Sequence, residues 1–187
     1  MPRKLRAQRT VVEQCERLRA QLADGLEQLP SDDPAVVDAV WGGEALGTLL
    51  WALQLAELPP YDTPFTPDEL TADLAAAELR PEEDVDAERE TARLWHWRAR
   101  TAELDPRDLT QEYASVDQVV AAAAMRGYER GVLPQPLRGD FRAFGKIYRH
   151  LTPDELAEAH SLAAERHQAL AWLCGEGATW EDVPLDT

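Results

Sequence analysis

Residues 31–57 read SDDPAVVDAVWGGEALGTLLWALQLAE, and this stretch decides the fold. Ser31-Asp32-Asp33-Pro34 is a helix start: an acidic or hydroxyl cap is followed by proline at the first helical position, where its missing N–H costs nothing. The residues after this cap are apolar on most faces, with Trp41, Leu46, Leu49, Leu50, Trp51, Leu53 and Leu55. A helix apolar all round belongs in the middle of a bundle. The spacing predicts a central core helix from Pro34 to about Glu57. Gly42, Gly43 and Gly47 weaken it, and their use is close approach of a neighbouring helix. Glu44 is the one charged residue among them.

Working outward, residues 3–29 carry Val11, Cys15, Leu18, Leu22, Leu26 and Leu29 at gaps of three and four, one stripe on one face of a long helix. The stripe is too short to require a coiled coil. The helix either lies on its own domain or mediates self-association or partner binding. Residues 1–29 are therefore read as an N-terminal amphipathic helix and 30–187 as the helical domain.

Downstream, the Pro-rich segment 58–65 is a loop, and Thr66-Pro67-Asp68-Glu69 is a capping box opening a short helix to about Ala77. A further helix runs from Arg80-Pro81 to about Leu104, with Val85, Ala92, Trp95 and Ala99 inward. The next runs from Ser115 to Gly131. Residues 132–150 form an apolar-rich loop packed on the body, and no alternating β segment stands out. Thr152-Pro153-Asp154-Glu155 is a second capping box, and its helix ends at Gly175. The expectation is an all-α fold, a compact bundle of about six helices with an ordered C-terminal tail.

The 187 residues carry a net charge of −16, and all but the first 19 carry −20. Such a body repels phosphate backbones, so nucleic acid is not an expected partner. No apolar run approaches the roughly 20 residues of a membrane span, and no secretory leader is visible. The expected location is the cytoplasm, where Cys15 and Cys174 read as buried free thiols.

Nucleophile elbow, phosphate loop, dinucleotide glycines and metal-binding Cys or His spacings are all missing. No cofactor and no metal are expected. Polar residues beside tryptophans remain. His96 lies between Trp95 and Trp97, with Glu88 two turns upstream on nearly the same face. Glu165-Arg166-His167 lies upstream of Trp172, with His160 two turns before His167. Glu44, Glu88, His96, Glu165 and His167 are the candidate catalytic or ligand-binding groups, because imidazole beside carboxylate supports acid–base chemistry. The competing reading is that they hydrogen-bond one another and fix helix packing. Convergence on one solvent-reachable pocket would separate the two.

The end of the chain, Glu165-Arg166-His167-Gln168-Ala169-Leu170-Ala171-Trp172-Leu173 and then Trp180-Glu181-Asp182-Val183-Pro184-Leu185-Asp186-Thr187, resembles the bacterial family catalogued as domain of unknown function 4272. Glu44-Ala45-Leu46, Leu49 to Leu53, Glu57-Leu58-Pro59 and the stretch from Leu79 to His96-Trp97 are similar to further blocks of it. The likeness spans roughly residues 41–187. Ala171 and Leu185 stand where the family has Asn and Thr. It implies one compact domain, marks Trp97, Arg166, Trp172, Trp180, Asp182 and Asp186 as a structural signature, and brings no activity. The leading expectation is a non-enzymatic interaction or accessory module. The tail is expected to fold back with Trp180 buried and Asp182 or Asp186 on an Arg or His, or capping a helix.

Overall fold

The computed structural model describes residues 4–103 and 115–185. Among these, five α-helices carry the fold: α1 (Gln8–Glu27), α2 (Pro34–Ala52), α3 (Glu82–Glu103), α4 (Val116–Glu129) and α5 (Pro153–Leu173). α1 packs along α2, α2 along α5, and α5 along α3, with α4 against α3. The two helices with the broadest apolar surface, α2 and α5, form the middle of the row.

The first half of the α1 stripe is buried in the common core, with Val11, Cys15 and Leu18 facing inward, while Leu22 is partly buried and Leu26 and Leu29 are exposed. Gly25 lies so close to α2 that an added Cβ would sit 3.0 Å from the Ala39 methyl. The segment before α1 is tied down as well. The Arg6 amide donates to the Leu173 carbonyl at 2.9 Å, and its guanidinium donates to the Trp172 and Gly177 carbonyls and lies over the Trp172 ring.

α2 begins as its cap predicts, with the Asp33 side chain accepting the Ala35 N–H, but it stops at Ala52, a turn before Glu57. Gln54 then takes a left-handed φ of 59°. The helix expected after Thr66 is two 3-10 turns, Pro67–Thr71 and Leu74–Ala76, which reduces six helices to five. Glu69 does reach back to the Thr66 N–H at 2.7 Å. However, Leu70 is the one buried residue of the first turn and the second has none, so no apolar stripe holds a longer helix.

Residues 142–147 differ from the expected plain loop. Arg142–Ala143 and Lys146–Ile147 (β1 and β2) form a minimal antiparallel hairpin. Its turn residues Phe144 and Gly145 have φ of 51° and 71°, the two positive values of a type I′ turn. As expected, the segment packs down, with Phe141, Ile147 and Tyr148 buried. α5 opens on the predicted capping box, Thr152 and Glu155 satisfying each other's backbone. Cys15 and Cys174 are both buried, and no disulfide joins them. No helix among the described residues is long and apolar enough to cross a membrane.

Candidate functional site

Arg166 is 0% exposed at the centre of α5. Its Nε and Nη2 donate to Glu44 Oε2 at 3.1 and 2.9 Å. Nη1 donates to the Pro59 and Pro60 carbonyls, and Nη2 also to the Thr63 carbonyl at 2.7 Å. All five N–H groups of the guanidinium are thus used. The other Glu44 oxygen accepts the Phe65 N–H at 2.8 Å. Burial pushes the Glu44 carboxyl up, and the Arg166 charge pulls it back. The pair closes the Pro-rich loop onto α2 and α5, with Tyr61 and Phe65 facing the guanidinium. Gly47 makes room for this. A Cβ there would meet the Phe65 ring at 2.4 Å, so the close neighbour is the loop rather than a helix.

His167, the next residue, points to α3. Its Nδ1 lies 3.0 Å from His96 Nδ1, with both rings buried. One shared proton satisfies that contact, so the neutral pair holds one ring protonated on Nδ1 and the other on Nε2. Burial depresses His96 to about 4, helped by His167, His160 and Arg100. Burial, then Arg93 and Arg89, likewise bring His167 to about 4. His160 lies beside His96 but bonds Glu103. Among the described residues no group of three or more His, Cys, Asp or Glu side chains is arranged to hold a metal ion.

Glu88 turns away from His96. It accepts the Tyr61 hydroxyl at 2.8 Å in a cleft of about 560 Å³ bounded by the Pro-rich loop, α3 and the hairpin. Burial raises its pKa. Glu165 lies elsewhere again, in a groove of about 730 Å³ beside Asp24, Asp38, Glu181 and Trp180. Burial, with the like charges of Asp38 and Glu44, brings Glu165 to about 7. The five candidates therefore fall in different places. Glu44 belongs to the loop clamp and His96 with His167 to the α3–α5 interface, while Glu88 and Glu165 line separate hollows.

A second buried ion pair is not anticipated by the sequence. Arg98 donates to both Asp140 oxygens at 2.8 and 2.9 Å and lies over the Tyr148 ring. Asp140 also accepts the Phe141 and Arg149 amides. One signal does point to it: Arg98 follows Trp95 by three, on the buried stripe of α3.

The tail folds back, with corrections. Trp180 is half-buried, its ring edge against Trp172 at 5.5 Å, and its carbonyl accepts from Gln168. Asp182 meets the Thr179 hydroxyl, neither an Arg nor a His. Arg166 is committed to Glu44, and other arginines hold this region: Arg6 on the Trp172 and Gly177 carbonyls, Arg89 on Glu176 and Arg100 on the Leu185 carbonyl. Asp186 lies outside the described residues. Trp97 is half-buried against the core.

On the opposite side of the α1–α2 pair from the acidic groove lies an apolar one of about 420 Å³. Its walls include Leu22, Leu26, Trp41, Phe65 and Leu70. Leu26 is 49% exposed and Val37, one turn before Trp41, is 38% exposed. Arg19 also lines it. Its Nη2 donates to the Ala72 carbonyl, while its buried Nε–H has no acceptor among the described residues.

Comparison of the chain with protein-family models, with curated proteins and with solved structures returns no match.

Proposed function

We propose that the protein is a non-enzymatic cytoplasmic interaction module that docks an apolar helical segment of a partner protein in the groove between α1 and α2. The observation that carries this reading is the groove itself: an apolar hollow whose wall includes the exposed Leu26. Exposed apolar surface grouped in a concavity is what helix-in-groove recognition uses. The scattering of the five acid–base candidates supports it, since a reaction needs its groups within hydrogen-bond reach of one substrate.

Charge selects the occupant. Two copies of a chain at −16 repel, whereas a segment with basic flanks is attracted. The unpartnered Arg19 Nε–H adds a requirement for an acceptor, which the free carbonyls of a helix C-terminus supply. Nucleic acid and membrane are not partners on this reading. The resemblance of residues 41–187 to the uncharacterised family is part of the proposal and lends it no activity.

The test is fluorescence anisotropy with a labelled amphipathic peptide of leucine anchors and lysine flanks, against a scrambled peptide of equal composition. The ordered peptide is expected to bind about tenfold or more tightly than the scrambled one, and Leu26→Asp to weaken it by a similar factor. Equal binding of the two peptides, or indifference to Leu26→Asp, overturns the reading. A concentration-dependent dimer that Leu26→Asp dissolves would make the occupant a second copy.

A further inference from the structure

The cleft over Glu88 is independent of the α1–α2 groove, and its residues are more precisely fixed than a surface hollow requires. Tyr61 is stacked on Trp95, with ring centroids 5.5 Å apart and planes within 5°. The Arg166 guanidinium lies 5.0 Å from the Tyr61 ring centre. The hydroxyl therefore has one direction to point, and it donates to Glu88 Oε1. Among the described residues the second oxygen of Glu88 accepts no hydrogen bond. A half-buried carboxylate with one oxygen fixed and one free, lining a cleft, lacks a donor. Burial alone holds its pKa up, and a cation would bring it down.

The facing wall supplies the opposite sign. Arg142 stands on β1 at the cleft, exposed, with no partner for its guanidinium among the described residues. Its strand is held in place although its side chain is free. Ala143 pairs with Lys146 across the type I′ turn, and Asp62 Oδ2 accepts the Phe144 N–H at 2.7 Å. The hairpin is thereby tied to the same Pro-rich loop that positions Tyr61. Beside these charges the wall carries apolar Leu58, Pro59, Trp95, Val132 and Pro134, together with Thr91 and the Asp62 carboxylate that holds the hairpin. A mostly apolar pocket with a few placed polar groups is the usual form of a small-molecule site.

We propose that this cleft binds a small zwitterion with an apolar side chain, an apolar α-amino acid, its ammonium on the free oxygen of Glu88 and its carboxylate on Arg142. The site does not rest on the α1–α2 reading.

The test uses the full chain and three probes: L-leucine, L-leucinamide without the carboxylate, and N-acetyl-L-leucine without the ammonium. Binding is followed by NMR shifts of the Trp95 indole N–H and by calorimetry. Leucine is expected to saturate both signals in the millimolar range or tighter, and each blocked probe to bind about tenfold more weakly. Glu88→Gln keeps an acceptor for Tyr61 and is expected to lose about tenfold or more for leucine. Arg142→Ala, at an exposed position where the fold is not at stake, is expected to lose several-fold for leucine and nothing for leucinamide. Three results overturn the proposal. One is no saturable shift with leucine up to about 10 mM. The others are leucinamide binding as well as leucine, and a folded Glu88→Gln protein that binds leucine like the parent.

Discussion

Arg166 and His167 are neighbours on α5, equally buried, and face opposite sides of the bundle. Arg166 keeps its charge in the interior because Glu44 and three loop carbonyls surround it. His167 stays neutral because burial disfavours its charged form, with Arg93 and Arg89 adding to that, and because its partner is another imidazole. One interface is held by full charge compensation and the other by having no charge. The two should therefore fail under different insults: the first when a partner is deleted, the second when protons are added.

The largest effect expected is from Arg166→Met. It strands Glu44 in the core and releases the Pro-rich loop, at a cost of about 3–5 kcal/mol. Denaturant unfolding at neutral pH measures it. Glu44→Met/Arg166→Met removes both charges and should regain a large part of that loss. A double variant as unstable as the single one would mean that the carbonyl contacts to the loop, and not the ion pair, hold this side together.

Acid should act on the other face. Both histidines have folded pKa values near 4, below the ordinary 6.5. Between those values the unfolded chain binds protons that the folded one refuses. This stabilisation is complete above 6.5 and lost as pH falls toward 4, by at most about 3 kcal/mol per ring. In His96→Gln, unfolding measured from pH 7 to 4 should show roughly half of the histidine contribution. An unchanged pH profile would mean the rings titrate normally and the contact is not a neutral pair.

The smallest effect lies between the two faces, one residue before Arg166. Glu165 titrates near 7 against an ordinary 4.5, so the folded state keeps a proton the unfolded state has lost. The penalty grows from pH 4.5 and is complete above 7. Glu165→Gln should therefore stabilise the protein by about 1–3 kcal/mol at pH 8 and leave it unchanged at pH 4. Thermal melts at the two pH values decide it. Destabilisation at pH 8 would mean that the carboxylate has a cationic partner in solution.

Local chemistry is legible where the signal sits within a few residues. The Asp33-Pro34 start and the Thr152–Glu155 box both appear where the sequence puts them. The Thr66–Glu69 box forms too, yet with Leu70 alone facing inward it opens only a 3-10 turn. Pairing over distance is what the sequence hides. Glu44 and Arg166 each stand out in it, but for separate roles, because 122 residues divide them. Arg98 and Asp140 do not stand out, although an arginine at the buried spacing of an apolar helix implies an acid elsewhere. Gly47 suggests a seat for a helix, and a phenylalanine ring from a loop takes it, since neighbouring backbone and neighbouring ring ask the same thing of a glycine. Glu88 and His96 share a helix face only approximately, and that offset sends one to a cleft and the other into an interface.

Arg6 has a mechanical consequence. It bonds the Trp172 and Gly177 carbonyls across separations of 166 and 171 residues, so nearly all of the described chain lies inside a ring closed by one side chain. Tension applied at the two extremities reaches this fastening before it reaches any helix pair. Stretched in that way, the molecule should first lose the tail contacts of Leu185 and Trp180 and then peel residues 4–7 from 172–177, a small early step. Only after that release does the load pass to α1, whose separation from α2 opens the core.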